Sequence, residues 1–148
     1  MNCDIIFFGD SLTFGYGVTK QNSWVYKLTQ ELSFYISNKA CNGETTTSML
    51  ARYYNDVLVH HPKKLFLMGG TNDLLLGRSV NSIIDNIELM IKDALNIKSE
   101  IIIGIPPKII GAMANMLFSP SDLYAYTEKE LLNLKDELIK LSDNYKIQ

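Results

Sequence analysis

The stretch that decides the fold runs from Cys3 to Tyr16 and reads CDIIFFGDSLTFGY. Its apolar run, Ile5 to Phe8, has no polar interruption, which is typical of a strand covered on both faces of a sheet. Gly9 ends the run, so Asp10 and Ser11 fall where a buried strand meets a surface turn. A serine in this position is held by a rigid element and opens to solvent, which suits a nucleophile. The same residues also fit a plain strand end at which Asp10 or Ser11 caps the next helix.

Two further polar clusters follow strand-like segments of the chain. Residues 42–46 read NGETT, and residues 69–73 read GGTND directly after the apolar run Leu65 to Met68. In a parallel sheet the C-terminal ends of the strands lie along one edge, and such sheets place their functional sites there. We therefore expect the three clusters to meet at that edge.

The order and spacing of these clusters resemble those of the GDSL esterases, also called SGNH hydrolases. GDSL at residues 9–12, NGETT at residues 42–46 and GTND at residues 70–73 match three of that family's four blocks. The likeness runs from about Asp4 to Gly77 and looks closest to the compact bacterial lysophospholipase and acyl-esterase members. It implies serine-dependent hydrolysis of small-molecule acyl esters, an activity of the esterase and lipase class.

The resemblance also implies a role for individual residues. Ser11 would be the nucleophile, and the oxyanion would be bound by the backbone N–H groups of Ser11 and Gly43 and by the side chain of Asn72. Glycine lets the backbone approach a developing charge closely, and an asparagine amide donates without adding a charge. Gly43 could instead serve a turn with positive φ, and Asn72 a loop cap. For Asp10 and Asp73 we favour structural roles as acceptors of backbone N–H groups over a glycosidase-like carboxylate pair.

The family's fourth block, an Asp-x-x-His near the C-terminus that supplies the base and its orienting acid, has no counterpart in this sequence. The histidines of the chain are His60 and His61. They precede the third predicted strand whereas Asn72 follows it, and a strand rises about 3.3 Å per residue. We therefore interpret both as part of a solvated turn before Pro62, far from the proposed site.

The missing block leaves two functional hypotheses open. In the first, the chain is a C-terminally truncated esterase domain whose base and last strand are not in these residues, or its site is completed by something else. If the chain ends naturally at Gln148, we expect hydrolysis near background. In the second, it is an inactive or impaired module on the same scaffold that binds an acyl or acetyl ligand. A flavodoxin-like nucleotide or flavin binder fits less well, because the sequence has no Gly-rich phosphate cradle.

Composition and length narrow the remaining possibilities. A chain of 148 residues, 47% hydrophobic and 20% charged, predicts a single domain over residues 1–148. The net charge of −2 does not favour nucleic-acid binding. No apolar run approaches the roughly 20 residues of a membrane span, and no leader peptide is evident, so we expect a cytoplasmic location. Cys3 and Cys41 predict no disulfide framework, metal or other cofactor, and we expect both to be small buried hydrophobes.

Hydrophobic periodicity predicts alternating strands and helices without repeats. This alternation indicates an α/β fold, a three-layer α/β/α sandwich with a mostly parallel sheet and right-handed crossovers, whose last strand is missing. Trp24, Leu28 and Leu32 would form the inner stripe of the first helix. The predicted strands are Ile5 to Phe8, Phe34 to Ile36, Leu65 to Met68 and Ile101 to Ile105, and the predicted helices are Trp24 to Leu32, Thr45 to about Val59, Val80 to Leu95 and Glu128 to Leu141.

The segment from Ile109 to Ser121 is apolar and irregular, and it follows the fourth predicted strand on the edge of the proposed site. Its side chains could line an acyl pocket or a mobile lid. They could equally be buried under the final helix. If they are exposed instead, they could drive self-association of the chain.

Overall fold

The computed structural model describes residues 3–148, in which a four-stranded sheet lies between helices. The strand order is β2-β1-β3-β4, and all three strand pairs are parallel, as predicted. In the register of the sheet, Ile5 of the central strand pairs with Ile36 on one side and Lys64 on the other. The strands are β1 Ile5–Gly9, β2 Ile36–Asn38, β3 Lys64–Met68 and β4 Glu100–Ile103.

Helices occupy every connection between strands and continue beyond β4. They are α1 Ser11–Phe14, α2 Trp24–Glu31, α3 Thr46–Asp56, α4 Thr71–Leu75, α5 Val80–Asn96, α6 Gly111–Leu117 and α7 Leu123–Tyr145, with single 3₁₀ turns at Lys20–Asn22 and Leu58–His60. Within residues 3–148, no helix combines the length and the apolar composition that crossing a membrane requires.

The uninterrupted apolar run of β1 is explained by cover on both faces. Ile6 and Phe8 point into the larger core, which the inner faces of α3, α5 and α7 complete. Ile5 and Phe7 point the other way, into a smaller core that includes Val25 of α2. Because successive side chains of a strand alternate between faces, each strand residue of β1 is buried on one side or the other. The predicted three-layer α/β/α architecture is confirmed.

The second strand begins two residues later than predicted. Phe34 and Tyr35 are aromatic and therefore strand-like in sequence, but their side chains are exposed. The Tyr35 carbonyl accepts the N–H groups of Asp4 and Ile5 at 3.0 and 3.2 Å, and the paired strand starts only after it, at Ile36. Strand pairing, rather than residue type, sets this boundary.

Two burial predictions near the N-terminal half are wrong. In α2, Val25 is buried and Leu28 packs partly buried against the smaller core as predicted, whereas Trp24 and Leu32 are more than a third exposed. Trp24 lies at the sheet margin because its Nε1–H donates to the Leu12 carbonyl at 2.9 Å, while its ring meets Phe7 edge-on. Cys41, which we expected to be buried like Cys3, is exposed.

The C-terminal part is more helical than its sequence pattern predicts. The last helix, α7, extends beyond the predicted Glu128 to Leu141 at both ends, and the leucines of its inner face, Leu131, Leu134, Leu138 and Leu141, are buried. The segment from Ile109 to Ser121 contains the short helix α6. Ile109 packs partly buried against the core, but most of the apolar side chains of the segment are exposed: Met116 is 85% and Phe118 67% exposed. After α7, the backbone of Gln148 bonds to Ile103 N–H and Ile101 C=O at the outer edge of β4.

Candidate active site

Ser11 lies at the C-terminal end of β1, where the strand turns directly into α1. Asp10 is the N-cap of that helix and accepts the Leu12 N–H at 2.9 Å. Gly9 is required by space, since a Cβ there would lie 2.5 Å from the Met68 carbonyl oxygen. Ser11 is half-buried, and within residues 3–148 neither its hydroxyl nor its N–H donates to a protein acceptor. The turn thus combines a helix cap, on Asp10, with an unengaged serine.

Gly43 lies in the exposed loop that leads from β2 to α3. Its φ of +75° is in the left-handed region, so the turn with positive φ, the alternative role that we considered for Gly43, is present. A Cβ at this position would meet nothing within 4 Å, which leaves the backbone open to solvent. Across residues 3–148, the Gly43 N–H finds no protein acceptor. Thr45 and Ser48 form a reciprocal capping box that begins α3 immediately afterwards.

Asn72 lies in the first turn of α4, directly after β3 and its two glycines. Gly70 has a φ of +117°, and this conformation turns the chain sharply from strand to helix. The Asn72 side-chain amide donates one hydrogen to the Glu44 carbonyl, at 2.8 Å. A primary amide has two hydrogens, so the second remains for another acceptor. The same contact joins the loop after β3 to the loop that holds Gly43.

Asp73, next to Asn72, is fully buried and fully partnered. Its carboxylate oxygens accept the Thr46 N–H and the Thr46 hydroxyl, each at 2.8 Å, and Arg78 approaches at 3.4 Å. Asn86 of α5 donates in turn to the Thr46 hydroxyl at 3.0 Å. Asp73 therefore fixes the start of α3 against α4 by accepting a backbone N–H, the structural role that we expected for it.

Asp10 is equally buried but has fewer partners. Its second carboxylate oxygen has no hydrogen-bond partner in the described chain, and neither do the buried hydroxyls of Thr13 and Thr71. Burial raises the pKa of Asp10 to about 6, the negative charge of Asp73 adds to the rise, and the Leu12 N–H opposes it. Because its first oxygen is engaged by Leu12, Asp10 also has the expected structural role in its loop.

Hydrogen bonds join the three loops to one another. The Cys41 N–H donates to the Gly9 carbonyl at 3.0 Å, which ties the loop after β2 to the end of β1. Arg52 of α3 bonds to residues of both loops. Sequence reasoning did not single out Arg52, because its one local signal is the pairing with Asp56 four residues later. Its contacts with the two loops depend on the fold, so no local sequence pattern predicts them.

The histidines lie at the other edge of the sheet. His60 ends a 3₁₀ turn and His61 follows it, both before β3, whereas Asn72 comes after that strand. The five residues of β3 separate the two edges, which at about 3.3 Å per residue is roughly 15 Å. Between residues 3 and 148, no three His, Cys, Asp or Glu side chains converge in a way that could hold a metal ion.

An apolar groove lies beside α4. It has a volume of about 660 Å³ and is formed where α4, α6 and the start of α7 meet. Leu75, one helical turn after Asn72, contributes to its wall. The other lining residues are Ile109, Ala114, Phe118, Ser119 and Tyr124.

Residues 7–145 match the GDSL-like Lipase/Acylhydrolase family. Since the match covers nearly the whole chain, this protein belongs to that family. The solved structures that resemble it include a G-D-S-L family protein from Desulfitobacterium hafniense DCB-2, with a TM-score of 0.83 at 20% identity, covering 99% of this chain and 75% of the other. This likeness shows the fold alone.

A second structural relative is AlinE4, an SGNH-hydrolase family esterase. It has 25% identity and a TM-score of 0.72, with 97% of this chain and 72% of AlinE4 covered. A curated relative is the uncharacterized lipoprotein YqeF of Bacillus subtilis (strain 168), 38% identical over 77 residues that make up 47% of this chain. The chain spans about a third of that relative, since 32% of YqeF is covered.

Proposed function

We propose that this chain hydrolyses acyl esters, with Ser11 as nucleophile and with Ser11, Gly43 and Asn72 as the donors that bind the oxyanion. One observation carries the proposal. The segments after three neighbouring strands hold two backbone N–H groups that have no acceptor within residues 3–148 and one side-chain amide with a second, uncommitted hydrogen. Donors that are fixed in advance stabilise a developing negative charge without reorganisation during the reaction.

In the proposed reaction, the Ser11 Oγ attacks the carbonyl carbon of the ester while its proton passes to a base. The carbonyl oxygen takes up the negative charge and accepts hydrogen bonds from the three donors. Collapse of this tetrahedral intermediate expels the alcohol and leaves the acyl group on Ser11. Attack by water on the acyl-serine then releases the acid and restores the serine hydroxyl.

The base is the part of this reaction that the chain does not supply. His60 and His61 precede β3 and lie at the opposite edge of the sheet, and the sequence has no further histidine. Asp10 is adjacent to Ser11, but its side chain is buried and one of its oxygens is bound to Leu12 N–H. We therefore expect slow turnover by these residues alone, since serine hydrolases without their triad retain roughly 10³–10⁴-fold acceleration over water.

The apolar groove beside α4 supports a site for the acyl part of the ester. Its walls are predominantly apolar side chains, and Leu75 places one of them a helical turn from Asn72. Small-molecule sites usually combine such a wall with a few polar groups at one end. In this proposal the acyl chain lies in the groove while the carbonyl oxygen meets the three donors.

Covalent labelling with an alkyl fluorophosphonate tests the nucleophile. We expect one adduct on the peptide that contains Ser11, formed faster when imidazole is added as an external base, and no such adduct in Ser11→Ala. Ser33→Ala changes an exposed serine and serves as the matched control, which should label like the wild type. Asn72→Ala should slow labelling by about 10²–10³-fold, the usual effect of removing an oxyanion donor.

Two outcomes would contradict the proposal. Equal labelling of wild type and Ser11→Ala would show that Ser11 is not the nucleophile. Absence of labelling in folded wild-type protein, with or without imidazole, would favour the alternative of a module that binds an acyl ligand and does not turn it over.

A further inference from the structure

Arg52 is the most highly connected side chain near the candidate site, and the reaction proposed above does not use it. Its Nε donates to Glu44 at 2.9 Å, and its Nη1 donates to Asp56 and to the Lys39 carbonyl, both at 2.7 Å. Its Nη2 reaches the Gly9 carbonyl at 3.5 Å. One guanidinium thus contacts four other residues, from the end of β1 to the last turn of α3.

Two of these partners, Gly9 and Glu44, lie next to the residues that carry the proposed backbone donors. Gly9 lies two residues before Ser11, and Glu44 directly follows Gly43. The guanidinium carbon also lies 4.3 Å from the centre of the Phe8 ring, which is fully buried in β1. The planar guanidinium is therefore held against a rigid strand while its N–H groups extend to both loops.

We propose that Arg52 is a positioning residue that fixes the Ser11 N–H and the Gly43 N–H at a spacing where both can donate to one oxygen. The inference rests on the proposed function. It assigns to Arg52 an effect on transition-state stabilisation, since misplacing a catalytic group by about 1 Å can cost about 10²-fold in rate. Arg52 itself does not touch the ester.

A purely structural role would give the same contacts, so the test needs readouts that stability alone does not change. Arg52→Met removes every polar contact. Arg52→Lys keeps the charge but lacks the planar fork, so it cannot engage Glu44 and both loop carbonyls together. Tyr145→Phe is the matched control, because it removes the hydrogen bond between Tyr145 and Glu88 far from these loops.

The first readout is the rate of fluorophosphonate labelling at Ser11 as a function of probe concentration. We expect both Arg52 variants to lower the limiting rate by about tenfold or more, with the half-saturating concentration changed by less than about threefold. Tyr145→Phe should leave both parameters unchanged even if it lowers the melting temperature. A limiting labelling rate in the Arg52 variants equal to that of the wild type would overturn the inference. A change in the half-saturating concentration alone would overturn it as well.

The second readout does not depend on labelling. Amide hydrogen exchange should become faster in residues 9–12 and 41–45 together in Arg52→Met, and should stay unchanged there in Tyr145→Phe. Faster exchange in one loop only, or in neither, would show that Arg52 does not join them. If wild-type protein takes no label, the proposed function fails, and the exchange comparison still decides whether Arg52 couples the two loops.

Discussion

The loops after β1 and β3, at the same edge of the sheet, each bury an aspartate but give it different hydrogen-bond partners. The loop after β3 buries Asp73 with hydrogen bonds to both of its carboxylate oxygens, while the loop after β1 buries Asp10 with one oxygen unpartnered. Both carboxyl groups are 1% exposed, so their surroundings differ in partners and not in burial. Burial raises the pKa of Asp10, and this carboxylate has no hydrogen-bond partner on its second oxygen within residues 3–148 to offset the cost of burying its charge.

The largest expected effect comes from replacing Asp73, the aspartate with hydrogen-bond partners on both of its carboxylate oxygens. Asp73→Ala removes the acceptor of the Thr46 N–H and hydroxyl, which stay buried. We expect the free energy of unfolding to fall by about 3–4 kcal/mol, because hydrogen bonds to a charged group are the stronger kind and unsatisfied buried donors are costly. Urea unfolding measures this loss.

An exposed aspartate provides the control for that experiment. Asp85 lies on the outer face of α5, and Asp85→Ala should change stability by no more than about 0.5 kcal/mol. A loss below about 1 kcal/mol for Asp73→Ala would mean that the contacts with Thr46 do not stabilise the fold, and the contrast between the two loops would lose its basis.

Asp10 gives the second effect, and its sign depends on pH. Burial raises its pKa from 3.8 to about 6, so between these values the folded protein binds more protons than the unfolded chain. Stability from this group is therefore present at low pH and falls as pH rises through that window. Asp10→Asn cannot titrate, so relative to this variant the wild type should lose on the order of 2–3 kcal/mol between pH 4 and pH 7.

The pH dependence of the difference is the decisive measurement. Any constant cost of burying an amide shifts the variant equally at every pH, so only the slope reports the titration of Asp10. Parallel stability curves for wild type and Asp10→Asn across this range would show that Asp10 titrates normally. The unpartnered oxygen of Asp10 would then leave its proton affinity unchanged.

The sequence was sufficient to predict the fold class, because the patterns that indicate strands, helices and turns are local. The apolar run of β1, the buried leucines of α7 and the polar residues after each strand are read from periodicity and from turn residues. The same locality explains what was missed. The start of β2 is set by pairing with β1, and the exposure of Trp24 by a hydrogen bond to Leu12.

The candidate site likewise combines features that the sequence predicts with features that depend on the fold. The three loops were predicted from motif and spacing, and the structural roles of Asp10 and Asp73 followed from their position after strands. Their unequal partners could not be predicted, because Thr46 reaches Asp73 across 27 residues of sequence. The role of Arg52 could not be predicted for the same reason, because its contact with Gly9 spans 43 residues of sequence.

The smallest expected effect concerns Arg78, whose guanidinium approaches the Asp73 carboxylate. The Arg78 side chain is 40% exposed and its Nη1 lies 3.4 Å from the carboxylate, so solvent and salt screen the interaction. Arg78→Met should therefore cost less than about 1 kcal/mol, and the cost should shrink further at high ionic strength. Thermal unfolding at low and high salt measures both. A loss of several kcal/mol that persists at high salt would mean that the Arg78 charge, and not the neutral donors of Thr46, makes the two aspartates different. Since no Lys or Arg within residues 3–148 forms a salt bridge with Asp10, that result would assign the contrast between the two loops to charge pairing.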